Sequence, residues 1–165
     1  MKLRTLLCTP FLLAAPLVAG EYDALAKTLR QAWPQCATVA VVCDTSGSKG
    51  AIEAVTGALS GMKVIVVDVK GQQDIGKAVA TLTGRRPDAV VLVASDKVAG
   101  DGSSAAAFLI QRLGSAKIPT VGTTEQAVKQ GAVFAVGSGT GGKVLGNPKA
   151  AAVAGVSLPA GASSI

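Results

Sequence analysis

The sequence contains no histidine and few aromatic residues. Its 165 residues include one tryptophan, one tyrosine and three phenylalanines. The absence of histidine excludes catalytic triads and dyads that depend on an imidazole, and it removes the usual first ligand of a zinc site. The scarcity of aromatic residues removes the stacking surfaces on which single-stranded nucleic acid binds.

A concentrated basic patch is also absent. The chain has 16 basic and 10 acidic residues, a net charge of +6, but the basic residues are spread along its length. A nucleic-acid-binding protein normally clusters lysine and arginine on one face. We therefore expect no nucleic-acid partner.

The first twenty residues have the pattern of a cleaved secretory signal. Lys2 and Arg4 precede an apolar run over residues 6–18, and small residues follow at Ala19 and Gly20. The apolar run is shorter than the roughly 20 residues that a membrane span requires, so a membrane anchor is the less favoured alternative. We predict a signal peptide over residues 1–20, a mature chain without a membrane span, one domain over residues 21–159 and a flexible tail over residues 160–165.

Two cysteines lie in the predicted mature chain, at either end of one predicted strand. At about 3.3 Å per residue, Cys36 and Cys43 are roughly 20 Å apart. A disulfide needs Cα atoms within about 7 Å, so an internal bridge is not expected. Two alternatives stay open: both are small buried apolar residues, which is favoured, or Cys36 forms an intermolecular bridge.

Apolar runs alternate between strand and helix patterns along the chain. The first helix, residues 21–33, places Tyr22, Leu25 and Leu29 on one face, and Pro34 ends it. Short connections between alternating strands and helices predict a parallel sheet with right-handed crossovers. The predicted fold is a three-layer, doubly wound, Rossmann-like α/β domain with strand order 2-1-3-4-5. Its five strands cover residues 37–43, 63–69, 88–94, 118–122 and 132–136.

Capping patterns place several helix ends. Asp74 precedes the third helix, and Asp101, Ser103 or Ser104 can cap the fourth. The capping-box spacing T-x-x-Q starts at Thr123, and Gly131 stands where a left-handed helix end favours glycine. Beyond the fifth strand, a short helix is expected after the glycine-rich residues 137–142, and another helix follows Asn147-Pro148.

Three patterns resemble catalytic or cofactor motifs, and none is complete. Residues 137–142 fit G-x-G-x-x-G, but no acidic residue follows Glu125 to hold a ribose. Residues 46–49 spell S-x-x-K, but no K-T-G follows. Asp44, Asp96 and Thr123 end three strands as in a phosphoacceptor receiver, but the lysine needed after the fifth strand is missing. We therefore expect a non-catalytic protein without cofactor or metal.

Polar loops follow the strands and should meet at one edge of the sheet. They cover residues 44–50, 70–73, 95–102, 123–124 and 137–140. Because ligands of open α/β sheets bind beyond the carboxyl ends of the strands, hydroxyls and helix N-termini there would suit a small polar or anionic molecule. Ordinary caps and turns are an equally favoured explanation. The candidate ligand-binding residues are Asp44, Thr45, Ser46, Ser48, Ser95, Asp96, Thr123 and Thr124.

Three stretches resemble a known family. RRPDAVVLVASD, AKIPTVGTTEQAVKQGAVFAVG and NPKAAAVAGVSLP are similar to the second lobe and closing segment of ABC-transporter substrate-binding proteins of the tryptophan or aromatic amino acid type, which have the type I periplasmic-binding fold. Family members close two lobes over a ligand, whereas this mature chain is long enough for one. The family's ligand residues are not carried over, because much of that pocket comes from the other lobe.

The resemblance implies a periplasmic solute-binding or accessory component of an ABC importer. Its expected partners are a small-molecule solute, an ABC permease or another periplasmic protein, and a second copy of the chain. The alternative is a periplasmic protein-interaction module with no small ligand.

Overall fold

A computed structural model describes residues 19–165 and contains one seven-stranded sheet with helices on both faces. The helices are α1 Ala19–Ala32, α2 Lys49–Ala58, α3 Ile75–Arg85, α4 Ser104–Ser115, α5 Glu125–Lys129 and α6 Pro148–Ala154. The strands are β1 Thr38–Cys43, β2 Lys63–Asp68, β3 Ala89–Leu92, β4 Thr120–Thr124, β5 Phe134–Gly139, β6 Leu145–Gly146 and β7 Ser163–Ser164.

The strand order is β2-β1-β3-β4-β5-β6-β7. Neighbours among the first five strands are parallel, which confirms the predicted doubly wound sheet of order 2-1-3-4-5. Two short strands extend it: β6 is antiparallel to β5, and β7 is parallel to β6. The predicted signal peptide lies outside the described residues except for Ala19 and Gly20, which begin α1.

Successive side chains of β1 point to opposite faces of the sheet and enter two separate cores. Val39 and Val41 pack with Leu25 and Leu29 of α1 and with Val55 of α2. On the opposite face, a second core combines β1 and β3 with α3 and α4 through residues Ala40, Val42, Val90, Leu82 and Leu109. Both faces of the central strands are therefore covered, as their uninterrupted apolar sequence predicts.

The predicted capping box was wrong by one residue. Thr123 belongs to β4 and is completely buried, whereas Thr124 caps α5 by accepting the N–H of Ala127 at 3.3 Å. Ser103, one of three candidates, caps α4 by accepting the N–H of Ala106. Asp74 does not cap α3, because its carboxylate accepts the N–H of Lys70 instead.

The expected helix after residues 137–142 does not form. β5 continues to Gly139, and the chain then reverses through Gly141 and Gly142, both with positive φ, into β6. The helix after Asn147 is present as α6, and the Asn147 side chain caps it. Residues 163–164 pair with β6, although a flexible tail was expected there. The flexibility of that segment stays a prediction.

Both cysteines of the described chain are free thiols. Cys43 is completely buried in the core, and burial raises its pKa to about 12. Cys36 is partly exposed, and burial raises its pKa to about 11. Because the thiolate is the reactive form, neither thiol is activated at neutral pH. An intermolecular bridge through Cys36 stays a prediction.

Candidate functional site

Asp96 joins two loops at the carboxyl edge of the sheet. Its side chain is 7% exposed, and Oδ2 accepts hydrogen bonds from the Asp44 N–H and the Ser48 hydroxyl, both at 2.7 Å. Oδ1 accepts the N–H groups of Val98 at 2.9 Å and Ala99 at 2.7 Å. Asp96 therefore fixes the loop after β3 to the loop after β1, and its acceptor sites are occupied within the chain.

A charged cluster lies beside this junction, where β1 and β2 end. Lys70 Nζ is 2.7 Å from Asp44 Oδ1, 3.0 Å from Asp68 Oδ1 and 3.1 Å from Ser46 Oγ. Thr45 donates its N–H and hydroxyl to Asp68 Oδ1 at 2.9 and 2.8 Å. The Ser46 hydroxyl donates to Asp44 Oδ1 at 2.6 Å. Three predicted residues, Asp44, Thr45 and Ser46, are therefore brought together.

The hydrogen bond from Lys70 holds the pKa of the Asp44 carboxyl well below its usual range. Hydrogen bonds from Thr45 lower the pKa of Asp68 in the same way, and the two carboxylates raise the pKa of Lys70. All three groups are charged at neutral pH and bind one another. The cluster holds neither a free base nor an unpaired cation for an anionic ligand.

Asp68 and Lys70 were not predicted as site residues. Asp68 was assigned to a strand, and Lys70 to one of the polar loops at the predicted edge, but neither was chosen as a candidate ligand-binding residue. A signal was present, since the predicted order 2-1 places the ends of β1 and β2 side by side. Asp44 follows β1 and Asp68 ends β2, so two acidic residues lie side by side there. Together with a lysine two positions after Asp68, they indicate an ion-paired junction.

Two further predicted residues, Thr123 and Thr124, lie at the carboxyl end of β4, beside the end of β5. The Thr124 hydroxyl donates to the Asp101 carboxylate, whose pKa is raised by burial. Thr123 Oγ1 and Asp101 Oδ1 are buried, and neither has a hydrogen-bond partner among residues 19–165. Thr123 is at the predicted edge but is closed off from solvent, whereas Thr124 is partly exposed.

The first turn of α1 covers this half of the edge. The Ser138 hydroxyl donates to Glu21 Oε1 at 3.2 Å. A Cβ on Gly137 would lie 2.9 Å from Thr123 Cβ and 3.4 Å from Glu21 Cγ, so only glycine allows the close approach. Burial also raises the pKa of Tyr22, the next residue of α1. The space above β4 and β5 is therefore filled by this chain.

The other half of the edge, above β1 and β3, holds one end of a groove of about 680 Å³ that runs along α2 as far as Ala58. Ser95, the remaining predicted residue, lines it next to Ser48 and is exposed. The carboxylates of Asp23 and Glu53 also line the groove, and neither forms an ion pair with another described residue. One wall is formed by small residues of α2: Gly50, Ala51, Ala54, Gly57 and Ala58.

The polar side chains of the edge bind mainly one another. Within residues 19–165, no group of three or more side chains has the arrangement of a metal site. The serines lie beside carboxylates and a charged lysine, and the chain has no histidine to act as a base. No helix over the same residues is long and apolar enough to span a bilayer.

No protein family model and no curated protein matches the sequence. Several solved structures are similar in fold. A conserved domain protein from Vibrio cholerae has a TM-score of 0.73 and 17% identity, over 87% of this chain and 59% of its own length. The ligand-free, open structure of CD0873, a substrate-binding protein with adhesive properties from Clostridium difficile, has a TM-score of 0.69 and 17% identity, over 84% and 57%.

An enzyme also shares part of the topology. Ureidoglycine-glyoxylate aminotransferase from Bacillus subtilis has a TM-score of 0.54 and 9% identity, over 84% of this chain and 39% of its own. At such identities the likeness concerns the fold, since one α/β fold supports many activities. This chain spans under three fifths of the length of the Vibrio and Clostridium proteins. Its α/β fold is similar to part of the fold of these two proteins.

Proposed function

We propose that this chain is an exported solute-binding or accessory component of an ABC-type importer, acting in the periplasm without catalysis. The groove beside Ser95 carries the proposal, because one end of it lies at the edge where α/β sheets bind ligands. The periplasmic-binding-like fold supports the same assignment, and CD0873 is described as a substrate-binding protein. Membership of the aromatic amino acid type is part of the proposal and rests on the sequence resemblance.

The groove favours a solute with an apolar body and a cationic group. Its wall of glycine and alanine offers an apolar surface without bulky side chains. The carboxylates of Asp23 and Glu53, which form no ion pair within residues 19–165, attract a positive group such as an ammonium. An amino acid bound through its amino group meets both conditions.

A thermal-shift screen of the protein against amino acids, amines and small anions tests this function. A solute at a hundred times its Kd stabilises the folded state by roughly 2.7 kcal/mol. Gly57→Leu should abolish the shift, because its side chain enters the groove. Gly84→Leu is the matched control, since both glycines are helical, exposed and free of neighbours within 4 Å of a Cβ.

A folded protein whose melting temperature does not change with any compound of the screen would overturn solute binding. A shift that survives Gly57→Leu would overturn the groove as the site.

A protein-interaction module without a small ligand is the second candidate. It is favoured by the polar groups of Asp44, Ser46, Ser48 and Asp96, which already bind within the chain. The first turn of α1 also covers Thr123, so the hydroxyl of that residue is not accessible to a ligand. A stable hetero-complex isolated from the periplasm, with no response to any solute, would support this candidate over the first.

A further inference from the structure

β2 is the end strand of the sheet, and its outer edge has no partner within residues 19–165. Lys63 and Val69 donate their N–H groups inward, to Ala37 and Cys43. Backbone directions alternate along a strand, so the N–H and C=O groups of Val64, Val66 and Asp68 point away from the sheet. These six groups are available to a further strand.

The devices that usually protect an edge strand are scarce here. The sequence KVIVVD has no proline and pairs with β1 without a bulge, and only its first and last residues carry charge. Val66 is 40% exposed, one of few large apolar side chains in the described chain with that exposure. The edge therefore combines unpaired backbone groups with an exposed apolar side chain.

We propose that β2 pairs antiparallel with β2 of a second copy, which joins two sheets into one. Opposed residues must lie on the same face and must both point their backbone groups at the partner. Both conditions are met when Val66 lies opposite Val66 of the second copy and Val64 lies opposite Asp68. Val64, Val66 and Asp68 of each copy then form about six hydrogen bonds, and the two exposed Val66 side chains cover each other.

Charge at the two ends of β2 favours a second copy as the occupant. The first end is basic: Lys63 lies there, and Arg30 donates to the Ser60 carbonyl at 2.8 Å nearby. The other end carries Asp68, with Asp44 joined to it through Lys70 and Asp74 bonded to the Lys70 N–H. Antiparallel pairing brings the basic end of each copy to the acidic end of the other.

Sedimentation velocity over low to high micromolar concentrations tests the pairing. The protein should be dimeric at the upper end, and Val66→Lys should weaken the dimer by at least about tenfold, because two like charges then meet at the twofold axis. Val153→Lys is the matched control, since Val153 is 57% exposed on α6, away from β2, and should change the dimer Kd by less than about twofold.

A second variant keeps the test decisive if Val66→Lys does not fold. Lys63→Glu changes an exposed side chain at the end of β2, reverses the basic end and should also weaken the dimer. Amide exchange of Val64, Val66 and Asp68 should slow as concentration rises, because their N–H groups become hydrogen-bonded. A monomer at every concentration would overturn the proposal, as would a dimer unaffected by both variants or one that leaves those amides exchanging freely.

Discussion

At the scale of single residues, Asp96 is the side chain on which the edge depends. Two of its four hydrogen bonds connect the loops after β1 and β3, and the other two hold the loop after β3. From sequence it was a candidate ligand acceptor at the end of a strand. The position was predictable, because a polar residue ending an apolar run marks the carboxyl edge. Its partners Asp44 and Ser48 were not predictable, because they belong to a loop about fifty positions away that only the folded sheet brings close.

We expect Asp96→Ala to lower the free energy of unfolding by about 3 kcal/mol or more, because it leaves several buried donors without an acceptor. Urea denaturation measures the loss. Asp74→Ala is the comparison, since that carboxylate accepts one backbone N–H and its removal should cost about 1 kcal/mol. Equal losses for both variants would mean that Asp96 does not hold the loops together.

Asp101 should make stability depend on pH in the direction opposite to that of most carboxylates. Burial raises the pKa of Asp101 in the folded state. The contribution of this carboxyl to the stability of the folded protein is therefore fully present below the ordinary aspartate pKa of about 3.9. It is lost as the pH rises through the pKa of the folded state. Burial therefore disfavours the ionised carboxylate of Asp101 in the folded protein, relative to the unfolded chain. Asp101→Asn should raise the melting temperature at pH 7, and the gain should shrink toward pH 4.

Melting curves of both proteins between pH 4 and pH 8 would measure this difference. Asp23→Asn controls for the change in net charge, because Asp23 is exposed on α1. A lower melting temperature for Asp101→Asn at neutral pH would contradict the expectation and would indicate that Thr124 requires the ionised carboxylate.

At the scale of elements, the loop after β3 is shaped by a glycine. A Cβ on Gly100 would lie 2.1 Å from the Asp96 carbonyl oxygen and 2.7 Å from that of Ala94. Both contacts are with backbone, so the loop itself would have to move. Gly100→Ala should therefore destabilise the protein and disturb the Asp96 hydrogen bonds.

The matched change Gly84→Ala should do the reverse. Gly84 lies in α3 with nothing within 4 Å of a Cβ, so alanine should add about 0.5 kcal/mol through helix propensity. Thermal unfolding of the two variants gives the comparison. A stable Gly100→Ala protein with unchanged amide shifts in the loop would show that the close approach is not required.

The elements before Gly137 follow from sequence more closely than those after it. Five apolar runs, the first four each followed by a helix with an apolar face, predict the parallel sheet and its order. The hairpin formed by β5 and β6 was missed because six glycine-rich positions carry no apolar period. The reversal of the chain into β6 depends instead on positive φ at Gly141 and Gly142 and on pairing of β6 with β5. The T-x-x-Q spacing misplaced the helix cap by one residue, because Thr123 is buried and belongs to β4.

At the scale of the whole molecule, α1 completes one face of the sheet. Leu29 is completely buried there, and the predicted apolar face of the helix is confirmed. Leu29→Ala should lower the free energy of unfolding by about 2–5 kcal/mol, the usual cost of a cavity in a packed core. Lys27→Ala on the exposed side of the same helix should change it by less than about 0.5 kcal/mol.

The single tryptophan makes this measurement direct. Trp33 follows α1, its ring lies 5.3 Å from that of Phe134, and its indole N–H donates to the Ser157 carbonyl. Its fluorescence therefore reports separation of α1 from the sheet. One transition, coincident with loss of helical circular dichroism, is expected. An earlier fluorescence transition would show that α1 unfolds independently and would contradict its place in the common core.

The orientation of α1 also decides how the protein should be handled. The helix begins at the groove-bearing edge, where Glu21 contacts Ser138, so a tag joined directly to Ala19 lies beside the groove. Ile165 lies at the opposite edge of the sheet. Its N–H donates to the Gly146 carbonyl, and Gly146 pairs with Phe134, the first residue of β5. Immobilisation through a tag joined to Ile165 consequently presents the groove to solution, whereas immobilisation through a tag joined to Ala19 turns it toward the support.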